Sequence, residues 1–236
     1  MEQILILMIC VITILVLGLI IRVTGKQIKQ IGEDKELNEL TKPFPSNKEI
    51  CKTILKQLHN DTVTIEEAND KETTLYIALT NKIVIANIKN IYAYTRVQTI
   101  AHECLHSIQD RALLLFNFFF SNFYFIYFAV ALILTMLGMV KNTMLQTAIL
   151  LILGAIYYFV RSFLETDAMT KAKYVAKEYL EDNQITNGEN IEKLVNKYDR
   201  LNNAGIKYIN YRLFCNCIMK VALYSLVCVI LFFLHG

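Results

Sequence analysis

The sequence predicts a mostly α-helical membrane protein: four transmembrane helices, with a cytoplasmic α+β portion that contains a small β-sheet. Three observations predict it. Of the 236 residues, 55% are hydrophobic and mean hydropathy is +0.38, above the roughly 45–50% apolar share of soluble domains. The excess is collected into long runs rather than spread along the chain, as bilayer spans require. Lys and Arg are one-sided: 13 fall in residues 22–112 and nine in 161–212, against Lys141 alone between the two middle runs. The positive-inside rule therefore places both polar blocks in the cytoplasm.

The first run, 3–21, carries no charge and begins after Met1-Glu2. A cleaved leader would need a basic start and small residues before its cut, so 1–21 is predicted to be a retained N-terminal anchor. Arg22, Lys26 and Lys29 follow it on the cytoplasmic side.

Residues 22–112 form the first polar block. Thr41 to Ser46 contains both prolines and reads as a linker. Ser46 with Glu49 predicts a capping box, and Ile50, Ile54, Leu55 and Leu58 repeat at helical spacing, giving one buried face. His59 falls at that helix's end as a capping or solvated residue. Thr62 to Glu66 and Thr74 to Ala86 are rich in Thr, Ile and Val and predict strands, the second a hairpin turning at 80–82. An edge strand just ahead of a metal-binding helix can pair with an extended peptide.

A helix is predicted from Tyr94 or Thr95 through Ile108, with Val97, Ile100, Ala101, Cys104, Leu105 and Ile108 facing a core. On it, His102, Glu103 and His106 stand in the order H-E-x-x-H. Residues four apart share a helix face, so the two imidazoles can take adjacent corners of a zinc tetrahedron. Glu103 can reach a metal-bound water without ligating the metal, which makes it the general base. Chance gives the motif about 0.004 times in a chain of this composition.

Residues 113–160 form a transmembrane hairpin, turned at Lys141-Asn142, with Asn117 and Asn122 as expected interhelical hydrogen bonders. The block 161–212 is helical and cytoplasmic, and 213–236 is the C-terminal transmembrane helix. Lys220 lies within that last helix and is expected to snorkel. His235 falls on the outer side. The six cysteines lie in apolar runs or on helices and read as small buried hydrophobes, not as a disulfide framework. A net charge of +3 without basic–aromatic tracts excludes nucleic acid as a partner.

A catalytic zinc takes three protein ligands and leaves one position open. With the other histidines out of reach, a carboxylate is needed. Glu165, at the cytoplasmic mouth of the third span, is the choice, with Ala168 leaving room for close packing. Asp167 competes for the place or orients a histidine from behind. Tyr208, before the last span, is the candidate donor to an oxyanion.

The stretch AHECLHSIQD, a two-span hairpin, FLETDAMTKA and a final span resemble the bacterial neutral zinc metallopeptidases of the membrane. That family's pattern reads AHExGHAxQD and then VEFNAS. The resemblance covers most of the chain in layout and is specific around His102–Asp110 and Glu165–Ala168. It implies one Zn2+ per chain on His102, His106 and Glu165, with Glu103 catalytic and a zincin-like α+β portion. RLNNAGIKY, ending at Tyr208, is also similar to the family's approach to its last span. A broader likeness is to the membrane heat-shock and prenyl-protein zinc proteases. Leu105 stands where the family has Gly, Asp167 where it has Asn, and its His-Tyr-Asp-Pro stretch has no full counterpart around Tyr76.

These readings converge on a multi-pass zinc endopeptidase of a bacterial cell membrane. Its partners are the lipid bilayer and peptide or protein substrates, membrane proteins among them. The rival expectation is a membrane scaffold or chaperone that keeps the zinc for structure.

Overall fold

The computed structural model describes residues 1–68, 73–86 and 93–235; the side chain of His235 lies outside the described residues. It is mostly helical, and by contacts it divides into two compact units. Unit one comprises Met1–Arg22, Phe116–Phe163 and Lys207–Gly236; unit two comprises Val23–Leu115 and Leu164–Ile206.

Among the described residues four helices are long and apolar enough to cross a membrane. They are α1 (Glu2–Ile21), α6 (Arg111–Met136), α7 (Thr143–Asp182) and α8 (Gly188–His235). In the last two the helix does not stop where the apolar run stops. α7 continues through the polar segment that carries Glu165, and α8 begins 25 residues before the expected last span. Neither segment contains a proline to interrupt the backbone ladder.

Inside unit one, Tyr124, Leu150, Cys217, Val221 and Tyr224 form a buried cluster. Gly154 is what lets Tyr124 in: a Cβ there would stand 2.8 Å from the phenol oxygen. Thr135 donates to Tyr224 Oη at 3.1 Å, and Gln3 Nε2 donates to Thr147 Oγ1 at 3.1 Å. The asparagines differ from expectation. Asn122 is exposed and donates to Phe118 O of its own helix, and Asn117 is buried with no partner for its Oδ1 among the described residues. Lys220 Nζ sits 4.3 Å above the Tyr124 ring centroid and 5.6 Å from that of Tyr157, so two aromatic faces receive the ammonium instead of the surface.

Unit two begins with two short helices the sequence did not announce, α2 (Gly25–Gly32) and α3 (Lys35–Thr41), capped by Thr24 and Asp34. After the proline linker comes α4 (Asn47–Gln57), with both halves of the Ser46–Glu49 capping box formed. His59 follows it with φ 53°, past the helix end. Strand β1 is Thr64–Ala68, two residues later than expected; β2 is Leu75–Ile77 and β3 Lys82–Ala86. The order is β1-β3-β2, with β1 parallel and β2 antiparallel to β3. β2 is therefore an edge, with Tyr76 opposite Ile83.

The motif helix α5 (Arg96–Ile108) is held on several sides. Val97, Ile100, Ala101, Cys104 and Leu105 are buried, although Ile108 is exposed. The Cys104 and Cys51 sulfurs lie 3.7 Å apart in the contact with α4. Ala168, Ala172 and Ala176 make a small-residue stripe along α7 in the same core, which permits close approach to α5. At its first turn Arg96, 3% exposed, donates to the carbonyls of Thr41, Phe44 and Pro45 and to Asn47 Oδ1. The proline linker is wrapped around this one guanidinium.

Candidate metal centre

α5 ends at Gln109, whose backbone turns extended, and Asp110 caps the start of α6 through Leu113 N–H at 2.7 Å. The break leaves His102 and His106 one turn apart near the helix end. Their Nε2 atoms are 3.1 Å apart. Glu165 Oε2, from α7, lies 3.5 Å from His102 Nε2 and 3.8 Å from His106 Nε2. The three donor atoms form a single group that can hold a metal ion.

Geometry tests the fit. Tetrahedral ligation with bonds of about 2.0–2.1 Å separates neighbouring donors by about 3.3–3.4 Å. The three observed edges bracket that value. Two nitrogens and one carboxylate oxygen, all partly or wholly buried, suit zinc better than calcium or magnesium, which take oxygen sets.

His106 is oriented from behind. Its Nδ1 faces Gln109 Oε1 at 2.8 Å. The Gln109 amide nitrogen donates to Leu164 O at 2.8 Å and to Asp167 Oδ2 at 3.1 Å, which fixes the amide's direction. Its oxygen can only accept, so His106 carries its proton on Nδ1 and presents the Nε2 lone pair to the cluster. Asp167 is itself clamped by Lys171 at 2.6 Å. The sequence left two roles open for Asp167; the structure brings Glu165 to the histidines and turns Asp167 to Gln109 and Lys171. Burial raises the Asp167 carboxyl, but the bonds from Lys171 and Gln109 outweigh it and hold it below the ordinary range.

Glu103 Oε1 is 4.0 Å from His102 Nε2, beside the cluster and not part of it. Its other oxygen accepts the backbone N–H of Tyr76, on the edge strand β2, at 2.6 Å. Burial pushes its carboxyl above the ordinary range, against the pull of His102, His106 and the Tyr76 N–H, while Glu165 adds to the rise. For His106, burial lowers proton affinity, yet Glu165, Glu103 and Gln109 together leave it raised.

Of the residues singled out by sequence, His102, Glu103, His106 and Glu165 come together in unit two. Tyr208 lies on the unit-one stretch of α8 and lines a cavity there. The sequence reads Gln109, with Asp110 and Arg111, as a marker of the membrane surface and as part of the family pattern, not as a partner of His106; its position three residues after His106, on the same helix face, was the available signal. No family model, curated protein or solved structure matches the chain.

Proposed function

We propose that the chain is an integral-membrane zinc endopeptidase, of the kind resembled by its HECLH and FLETDA stretches, working at the cytoplasmic face of a bacterial cell membrane. The observation that carries this reading is the set of three donor-atom separations, 3.1, 3.5 and 3.8 Å, with Glu103 next to it. The four apolar helices and the one-sided Lys and Arg support the membrane placement.

A zinc ion held by His102, His106 and Glu165 would supply the Lewis acid that polarises a peptide carbonyl and acidifies a water. Glu103 takes the proton of the attacking water and returns it to the departing amine. Its burial-raised carboxyl suits both transfers, because a base with a pKa closer to neutrality is also a usable acid. The edge of β2 offers backbone groups to an extended substrate strand, and the Tyr76 N–H already reaches Glu103. Tyr208 is the sequence-based candidate for the oxyanion donor.

The test uses the full chain in neutral detergent. Wild type is expected to hold about one zinc per chain, and His102→Ala and Glu165→Ala to lose it. Glu103→Gln should keep the metal and lose cleavage of an unfolded casein substrate by at least about a hundredfold; cleavage surviving that change overturns the role of Glu103. A structural-zinc scaffold is the second reading, favoured by the Tyr76 N–H that occupies one Glu103 oxygen. Zinc bound in wild type without Glu103-dependent cleavage selects it.

A further inference from the structure

Unit one contains a cavity of about 890 Å³, opened between α1, α6, α7 and α8. Its polar lining comes from separate helices: Arg161 on α7, Ser121 on α6, and Tyr208, Tyr211, Arg212 and Asn216 on α8. Apolar walls at Ile14, Leu213 and Met219 complete it. A guanidinium from each of two helices, with phenols, an amide and a hydroxyl, is a donor-rich set.

Its depth is set by α1. Tyr211 donates to Ile14 O at 3.3 Å, and its phenol oxygen packs where Gly18 has no side chain. That level is one to two turns from Arg22, the end that the cation distribution assigns to the cytoplasm. Among the described residues of unit one the only side-chain carboxylate is Glu2, about 18 Å away along α1 at 1.5 Å per residue. Arg212 makes no hydrogen bond or ion pair among the described residues. Arg212 is exposed, and a guanidinium free to bond at the mouth of a half-apolar cavity suits an anion with an apolar body. Arginine's planar fork matches phosphate oxygens, interfacial tyrosines suit the headgroup level, and basic pockets between helices on this side of a bilayer take acidic lipid heads.

We propose that this cavity binds the phosphate headgroup of an anionic phospholipid of the cytoplasmic leaflet, with Arg212 as its principal ligand. The volume fits a headgroup and glycerol with room to spare over bare phosphate, and the acyl chains leave along exposed apolar flanks such as Met219, 51% exposed. The proposal rests on the membrane reading above and not on the metal chemistry.

The experiment is native mass spectrometry of the full chain in neutral detergent, titrated with phosphatidylglycerol or phosphatidylcholine. Phosphatidylglycerol should bind with a preference that Arg212→Gln lowers about tenfold or more, the worth of a charge-assisted hydrogen bond. Arg212→Lys should keep part of it, and Lys141→Gln, at the other end of the unit, all of it. An unchanged thermal midpoint and gel-filtration elution in the same detergent show that Arg212→Gln is folded. Equal binding of the two lipids, or a preference untouched by Arg212→Gln, overturns the proposal. So does displacement of the lipid by equimolar inorganic phosphate, which would make this a free-phosphate site. Chain recovered in the soluble fraction without detergent sinks the membrane reading; membrane-bound chain with no lipid preference sinks the lipid site alone.

Discussion

The two units use the same residue types with opposite polarity. In unit one the apolar side chains point outward: of the exposed large hydrophobics among the described residues, only Leu79, Ile108 and Tyr174 belong to unit two. Its interior in turn holds Asn117, Thr135, Thr147 and Ser225 as buried polar groups. Unit two is conventional, with an apolar core beneath a charged surface, and its buried polar groups are tied into specific bonds. An inverted exterior is stable only where the surroundings are themselves apolar, because no hydrophobic force then drives those side chains inward. Unit two keeps its buried polar site by bonding most of the groups in it, with Arg96 and Gln98 each held by hydrogen bonds.

The largest expected effect breaks unit two at its most connected buried charge. Arg96→Met removes the donor to three carbonyls and Asn47 Oδ1 at once, along with the contact over the Phe44 ring at 5.9 Å. The expected loss is about 2–4 kcal/mol. It should appear as a lower thermal midpoint and as protease cuts in the proline linker between α3 and α4. A midpoint equal to wild type would mean that unit two is held by its apolar core and that the bonds of Arg96 add nothing to it.

A smaller effect separates chemistry from stability. Gln109→Leu keeps the side chain's size but removes both the acceptor for His106 Nδ1 and the donor to Leu164 O and Asp167. Zinc affinity should fall about 10–100-fold, measured by competition with a chelating dye, while Arg212→Gln in unit one leaves it unchanged. Should Gln109→Leu bind zinc as tightly as wild type, His106 is oriented by packing and the hydrogen-bonded chain behind it is incidental.

How much of this was legible in the sequence follows the same divide. Unit one's helices announce themselves, because an uncharged run of about 20 residues has few alternatives. The Ser46–Glu49 box and the HECLH helix were equally plain, since their signals are local. What stayed hidden depends on residues far apart in the chain. The parallel pairing of Thr64–Ala68 with Lys82–Ala86 has no local mark, whereas the antiparallel β2–β3 pairing does. α2 and α3 were missed because they are eight and seven residues long, too short for periodicity to speak. Glu165 could be chosen over Asp167 from the helix mouths, from Ala168 and from the family resemblance, but not from any local signal. Positions two apart on a helix point to different sides, and in α7 Glu165 faces the histidines while Asp167 faces Gln109 and Lys171.

The smallest effect is electrostatic. Asp34 caps α3 through Leu37 N–H at 3.2 Å and pairs with Lys197 at 2.8 Å. The bond from Lys197, which outweighs a small burial penalty, holds its carboxyl below the ordinary value. A folded-state pKa lowered in this way adds stability that is complete above the unfolded value of about 3.9 and is lost as pH falls through the folded one. Asp34→Ala should cost about 1 kcal/mol near neutrality. Asp34→Asn keeps the cap and drops the charge, so it should cost less, since a partly exposed pair is worth about 0–1 kcal/mol. The gap between wild type and Asp34→Asn should begin to close below about pH 4 and vanish below the lowered folded value; thermal midpoints at about pH 7, 4 and 2.5 would show it. A gap that stays constant over that range would mean that Asp34 acts through its cap alone. The charge pair would then add nothing to a unit otherwise held by its buried bonds.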